Sequence, residues 1–132
     1  MSVTFTWDND EQTQLRFIFD VMWQVEDLQR MIYLSQDIIE DRDDIIDIII
    51  DMSHCESMPS NMSLLPDHLQ VLDHNRVGVM VFVTQNKYIQ QVMQLLNQLM
   101  RRYFVMHFTN SLTKAHRIVK RASTTRQHQS LS

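Results

Sequence analysis

Apolar and polar residues alternate along two short segments near the start of the chain. In residues 2–7 (SVTFTW) the valine, phenylalanine and tryptophan fall on one side and the threonines on the other. Residues 13–20 (TQLRFIFD) alternate in the same way, and a turn-forming Asp-Asn-Asp at 8–10 separates the two segments. Such alternation is typical of β-strands, so the pattern predicts an N-terminal β-hairpin.

Apolar residues recur at helical spacing in four later segments. They predict helices over about 24–40, 65–74 and 87–102, and a last helix that begins after Ser111. Pro66 suits the first turn of the second helix, and Ser111 is a favourable N-cap. The buried stripe expected for the third helix consists of Ile89, Val92, Met93, Leu96, Leu99 and Met100.

Two nearly continuous apolar runs lie between these helices, at residues 45–50 (IIDIII) and 77–83 (VGVMVFV), and residues 104–108 (FVMHF) predict a further strand before the last helix. Such runs are typical of strands that are buried on both faces. The order β-β-α-β-α-β-α-β-α predicts an α/β protein with a single-layer mixed sheet, in which the later strands are parallel with right-handed crossovers. We expect one domain over residues 1–122 and a polar, disordered tail over 123–132.

Composition places the chain in a broad class. A chain of 132 residues that is 44% hydrophobic and 21% charged fits one globular domain. Its single cysteine excludes an internal disulfide and fits a reducing compartment. No apolar run reaches the ~20 residues that span a bilayer, and residues 1–10 lack the pattern of a secretory signal. These features predict a cytoplasmic protein.

The net charge of −4 conceals an asymmetry along the chain. Residues 1–73 contain all 16 acidic residues and three arginines, which gives a formal charge of −13. Residues 74–132 contain the other nine basic residues and no acidic residue. Such asymmetry favours charged partners or head-to-tail self-association.

A cluster of basic residues belongs to the predicted last helix. The side chains expected largely on its exposed side are Lys114, Arg117, Lys120, Arg121 and Arg126. Basic side chains of this kind bind phosphates of nucleic acids or of lipid headgroups. Because no aromatic residue lies among them and the chain is acidic overall, nucleic-acid binding is not favoured.

Residues 53–63 follow the first of the apolar runs and contain residue types found in active sites. His54, Cys55 and Glu56 are metal-ligand types, but adjacent residues point in different directions and no second cluster completes a four-ligand site. A Cys-His nucleophile would need a third orienting group and an oxyanion hole, and neither can be named. Gly78 lies within a predicted strand, so a glycine-rich phosphate loop is absent. The sequence predicts no catalytic residue, metal or cofactor.

Asp51 ends the first apolar run at the carboxyl edge of the predicted sheet. In α/β proteins this edge binds ligands, which is one interpretation of the residue. The interpretation we favour is structural, in which the carboxylate accepts hydrogen bonds from backbone N–H groups of the loop.

The order of elements and the loop segment resemble the STAS fold of the anti-sigma-factor antagonists. That family has a strand that ends in Asp-Leu-Ser, then a loop, then an Asp-Ser-Ser-Gly-Leu segment whose first serine is phosphorylated. Here IIIDMS (48–53) resembles the strand end, and MPSNM (58–62) falls where the family has Met-Asp-Ser-Ser-Gly. The resemblance assigns Ser60 to the phosphorylated position, with Pro59 in place of the family's aspartate.

Three further segments are similar to a divergent bacterial branch of STAS-like proteins: MWQVEDL (22–28), NKYIQQVMQLL (86–96) and FTNSLTKAHRIV (108–119). The resemblance covers about residues 2–122. It implies helices mainly on one face of the sheet and a protein-binding role at the loop after the central strand. The implied contact residues are Asp51, Ser53, His54, Ser57, Met58, Ser60 and Asn61.

The predicted central strands are apolar on both faces. In residues 45–50, Ile45 and Ile49 flank Asp47 on one face, and the other face holds isoleucines only. With helices on one face, an apolar sheet face would be exposed, and large exposed apolar patches mark interfaces. This arrangement predicts a homodimer or a protein partner on the open face.

The function that the sequence favours is a non-catalytic, regulatory protein–protein interaction module, with Ser60 as candidate phospho-acceptor and an unidentified protein as partner. The alternative is a small-molecule or lipid-binding domain that uses an apolar cleft at the strand ends. A third possibility is an enzyme whose nucleophile is Cys55 or a serine of the loop, which fast reaction of Cys55 with a thiol probe would favour.

Overall fold

The computed structural model describes residues 2–69, 76–102 and 104–131. Its strands are β1 (Val3–Trp7), β2 (Gln14–Phe19), β3 (Ile46–Asp51), β4 (Val77–Val83) and β5 (Val105–Thr109). Its helices are α1 (Val25–Glu40), α2 (Leu65–Leu69), α3 (Lys87–Met100) and α4 (Leu112–Leu131), with a 3₁₀ turn at Met62–Leu64 before α2. Each element overlaps the segment that predicted it. The second helix was predicted to reach residue 74, and residues 70–74 lie outside the described residues.

The five strands form one mixed sheet in the order β1-β2-β3-β4-β5. β1 and β2 form the predicted antiparallel hairpin, with Val3 opposite Phe19, and β2 to β5 are all parallel. The α/β class and the mixed sheet are thus confirmed. Because sheet neighbours are also sequence neighbours, each crossover moves in the same direction, and same-handed crossovers bring α1, α2 and α3 to one face.

The main core lies between this face of the sheet and the three helices. Phe17 of β2 and Ile48 and Ile50 of β3 point into it, because alternate residues of a strand share a face. They pack with Ile32 of α1 and Met93 of α3, and all five residues are at most 4% exposed.

The fourth helix, α4, packs on the opposite face of the sheet. Ala115 and Val119 of α4 form a second buried cluster with Ile49 of β3 and Val81 of β4. The expectation that this face is open is therefore wrong for the central strands. The physical reason is that the helix after β5 returns across β4 and β3 instead of joining the other three helices.

α4 also continues beyond residue 122, where a disordered polar tail was expected. It is helical to Leu131, and Arg126 in this extension pairs with Asp47 of β3. The sequence from residue 123 contains no glycine or proline that would end the helix, so α4 continues past Arg126 to Leu131.

α3 has two apolar sides. Its buried side consists of Ile89, Met93, Leu96 and Met100, all of which were predicted to be buried. Leu99 was predicted in the same stripe, but 66% of it is exposed, because a single sheet face buries only one side of the helix. Tyr88 and Leu95 are each 62% exposed. Together with Leu99, these two residues form what we name the outer stripe of α3.

Candidate functional site: the carboxyl edge of the sheet

Four connections meet at one edge of the sheet. Because β2, β3, β4 and β5 are adjacent and parallel, the segments that follow them, at residues 20–24, 52–61, 84–86 and 110–111, lie at their shared carboxyl ends. Residues 52–61 contain most of the site residues predicted from the sequence. We name this region the carboxyl edge.

Asp51 is placed as the sequence analysis favoured. It is 6% exposed at the end of β3, and its Oδ1 accepts hydrogen bonds from the Ser53 backbone N–H (3.1 Å) and the Ser53 hydroxyl (2.6 Å). This local turn sets the direction in which the loop leaves the strand. Both hydrogen bonds hold the carboxylate in a structural role.

Cys55 is buried beneath the loop. Its Sγ is 3.5 Å from the backbone oxygen of Asp20, and its N–H donates to the Met52 oxygen at 3.1 Å. Burial raises the pKa of the thiol to about 12, and the negative charges of Asp51 and Asp20 add to the effect. At neutral pH the thiol is therefore protonated, which is the opposite of what an activated nucleophile needs.

The other residues of the loop lie at the surface. His54, Glu56, Ser57 and Ser60 are exposed, whereas Met58 is half-buried against the main core. His54, Cys55 and Glu56 do not converge. Among the residues that the structure describes, no group of three histidine, cysteine or acidic side chains could hold a metal ion.

Besides the contact of Cys55 with Asp20, two hydrogen bonds join the loop to the connection between β2 and α1 and to the first turn of α1. The Glu56 N–H donates to the Val21 oxygen at 3.3 Å, and Asn61 Nδ2 donates to Glu26 Oε1 at 3.2 Å. The loop after β3 and the connection before α1 therefore form one continuous surface. The sequence analysis placed Asn61 in this site but identified none of its partners.

Exposed apolar side chains surround this surface. Met22 is 69% exposed, Val21 42% and Leu64 46%. Tyr88, which is 62% exposed, lies in the first turn of α3, shortly after the end of β4. Their exposure at the surface was not predicted from the sequence. Met22 and Trp23 are adjacent and both apolar, yet Trp23 is only 4% exposed, and only the tertiary fold decides which of the two faces outward.

The charges at the carboxyl edge are mainly negative. Asp20, Glu26 and Glu56 are exposed there, with Lys87 at the start of α3 and Lys114 in the first turn of α4 as nearby cations. The edge therefore combines apolar side chains with a net negative charge, which suits a partner that is basic and partly apolar.

Most of the predicted basic surface is elsewhere. Lys114, Arg117, Lys120 and Arg121 are exposed on α4, as expected, but α4 lies across the sheet from α1, α2 and α3. Arg126, which was expected on the same exposed side, is instead half-buried in its ion pair with Asp47. Lys114 also donates a hydrogen bond to Asn110 Oδ1 at 3.2 Å. The structure does not combine these residues with the loop after β3 into one site.

The structure also bears on a membrane role. Across residues 2–69, 76–102 and 104–131, no helix has both the length and the apolar character needed to cross a bilayer.

Compared with known proteins, the chain matches no family model, no curated protein and no solved structure, so the geometry of the site is the basis on which a function is assigned.

Proposed function

We propose that this chain is a non-catalytic, regulatory protein-interaction module of STAS type whose partner binds at the carboxyl edge. The observation that supports the proposal is the exposure of Val21, Met22 and Leu64 beside a loop of exposed hydrogen-bonding groups. Apolar side chains grouped with polar ones in this way are typical of protein interfaces. A reducing compartment such as the cytoplasm suits the free thiol of Cys55.

The chemistry of the edge favours binding over catalysis. The one thiol of the chain is buried and protonated, and the Asp51 carboxylate is bonded to Ser53. The outward-facing apolar side chains, Val21, Met22 and Leu64, are available for contact with another protein. The order of elements, with α1, α2 and α3 on one face, is also what the STAS resemblance implies.

Ser60 is the proposed phospho-acceptor. It is exposed, and the next residue, Asn61, holds the loop to Glu26 of α1. A phosphate adds a charge of about −2 at the residue next to Asn61. Because Glu26 is also negative, repulsion from the phosphate would oppose the hydrogen bond that Asn61 donates and would loosen the loop from α1. We propose that this loss of the joined surface outweighs the added attraction for a basic partner, so that phosphorylation releases the partner.

A protein partner can be tested by pull-down from the native lysate at low and high salt. The bait is compared as wild type, as Met22→Asp, and as Leu34→Asp, a control that changes a 50%-exposed leucine in the middle of α1. The proposal expects a specific partner with the wild type and Leu34→Asp that is lost with Met22→Asp and with bait phosphorylated at Ser60. Equal capture by all baits, or no capture at either salt concentration, would contradict it.

Self-association is the second part of the proposal, and the outer stripe of α3 is the surface that we assign to it. Because α4 covers the central strands on the second face of the sheet, Tyr88, Leu95 and Leu99 supply the apolar contact instead. Light scattering should show a dimer for the wild type and for the control Gln94→Glu, which adds the same charge at an exposed residue outside the outer stripe, and a monomer for Leu95→Glu. A monomeric wild type would remove this part of the proposal and leave the carboxyl edge unaffected.

A further inference from the structure

An apolar cleft separates the second half of α4 from β4 and β5. Its volume is about 480 Å³, within the range of about 300–1,000 Å³ typical of small-molecule sites. It lies beside Val79 near the start of β4 and Val105 at the start of β5, and so at the amino ends of these strands. The carboxyl edge is at the other end of the sheet, and the inference below does not depend on the proposed function.

The walls of the cleft are apolar. Val79 and Val105 form the side that the sheet provides, and Ile118 and Ala122 form the side that α4 provides. Val79 and Val105 are paired in the parallel ladder of β4 and β5, so they present one face to the helix. Val105 is 58% exposed, and it belongs to β5, the edge strand of the sheet.

One end of the cleft is closed by a buried ion pair. Gly78 contributes no side chain, and the carboxylate of Asp47 and the guanidinium of Arg126 occupy that space. A Cβ at residue 78 would overlap Asp47 Oδ1 and lie 2.6 Å from Arg126 Nη1. Asp47 is thus neutralised by Arg126 and withdrawn from the cleft, which leaves the cleft without a free carboxylate.

The polar groups that line the cleft are positive or neutral. Arg121 and His107 are exposed at its rim, Thr125 lies on the α4 side, and Arg126 completes this end. No acidic residue lines the cleft within the described residues. A guanidinium binds a carboxylate through two parallel hydrogen bonds, which makes Arg121 the expected contact for an acid group.

We propose that this cleft binds an amphipathic organic acid, whose apolar body lies against Val79, Val105 and Ile118 and whose carboxylate pairs with Arg121. Charge complementarity selects an anion over a neutral or cationic ligand of the same shape, and the apolar walls select a hydrocarbon or aromatic body over a hydrophilic one. Such a ligand agrees with the alternative function suggested by the sequence, a small-molecule or lipid-binding domain, and the proposed site lies between α4 and the sheet. Free fatty acids and aromatic acids both have this chemistry.

Calorimetric titration of the full chain with decanoate, below its micelle concentration, tests the proposal. Decanol and the decyltrimethylammonium ion serve as neutral and cationic ligands of the same length, and phenylpropanoate represents the aromatic acids. We expect saturable 1:1 binding of at least one of the two acids, at least tenfold tighter than binding of decanol, and no binding of the cation. Failure of both acids to bind, or equal affinity for decanoate and decanol, would overturn the proposal.

Two variants locate the binding site. Arg121→Gln is expected to weaken binding of the acid at least tenfold, whereas Arg117→Gln, one helical turn earlier on α4 and outside the cleft, is expected to change it less than twofold. Val105→Asp places a carboxylate at an exposed wall residue and is expected to abolish binding, with circular dichroism used to verify folding. If Arg121→Gln fails to fold, Val105→Asp and the comparison of acid with alcohol still decide the outcome. Wild-type affinity in both cleft variants would refute the assignment.

Discussion

Asp47 and Arg126 form a buried ion pair that joins β3 to the last turns of α4. The Asp47 side chain is 2% exposed, its Oδ2 lies 2.6 Å from Arg126 Nη2, and its Oδ1 accepts a hydrogen bond of 2.9 Å from the Val79 N–H. The Arg126 side chain is 31% exposed. Removal of the arginine therefore leaves a charge inside the protein, whereas removal of the aspartate charge leaves a guanidinium that reaches water.

This asymmetry predicts the order of the mutational costs. Arg126→Met is expected to lower the free energy of unfolding by about 3–5 kcal/mol, because it leaves the carboxylate buried and unpaired. Asp47→Asn keeps an oxygen that accepts from the Val79 N–H, and we expect it to cost about 1–2 kcal/mol. The double variant should recover most of the Arg126→Met loss, since no buried charge remains. For a chain of this size, 3–5 kcal/mol lowers the melting temperature by roughly 10–20 °C.

Urea unfolding at pH 7, followed by circular dichroism, measures all of these free energies by linear extrapolation. Arg117→Met, which removes an exposed arginine from the same helix, is the control and should stay within about 0.5 kcal/mol of the wild type. An Arg126→Met cost below about 1 kcal/mol, or an Asp47→Asn cost above that of Arg126→Met, would refute the buried pair.

Three further predictions concern other positions. Gly78→Ala should destabilise the protein by about 1–3 kcal/mol in urea unfolding, because its Cβ meets the ion pair, and the cost should shrink in an Asp47→Ala background. Since the pKa of Cys55 is raised to about 12 from the ordinary 9.0, its stabilising effect is present below pH 9 and lost as pH rises toward 12. At pH 8 its thiolate fraction is about a thousandfold below that of a free thiol, so a thiol reagent should modify the native chain far more slowly than the urea-unfolded chain. Equal rates would contradict the raised pKa, and only faster reaction of the native chain would favour the nucleophile hypothesis. The Ser2 hydroxyl, the Gln24 N–H and the Arg30 charge lower the pKa of Asp27, so its ionised form stabilises the fold above about pH 4, and the stability lost in Ser2→Ala should diminish as the pH falls below that value.

Local periodicity was sufficient to predict the fold class. The N-terminal hairpin and the parallel strands followed from alternation and from apolar runs, because each such pattern is complete within a few neighbouring residues. The face on which α4 packs was not predictable in this way. An amphipathic helix after the last strand can cover either face of the sheet when both faces are apolar, and only the packed structure decides between them.

The candidate site was predictable to a similar extent. The hydrogen bonds from Ser53 to Asp51 span two residues, so the sequence indicated them. The depth of Cys55 depends on the connection before α1, 35 residues away, and a sequence pattern does not contain that contact. Gly78 did provide a signal, because a glycine inside a strand marks close approach of another group. The sequence analysis used it only to exclude a phosphate loop.

The charge asymmetry of the sequence acquires a second meaning from the contacts of α4. The −13 charge of residues 1–73 was interpreted as a sign of charged partners, yet two of these acids interact with α4 itself. Asp8 lies 2.8 Å from His116 in the first half of α4, and Asp47 pairs with Arg126 in the second half. The Asp47–Arg126 pair therefore shows that part of the asymmetry attaches α4 to the sheet, because this acid belongs to β3 and this base to α4. The charges left for partners are those that remain exposed, and they are divided between acids at the carboxyl edge and bases on α4. Two surfaces of opposite sign at different places on one chain suit two different ligands, a basic protein at the edge and an acid under α4.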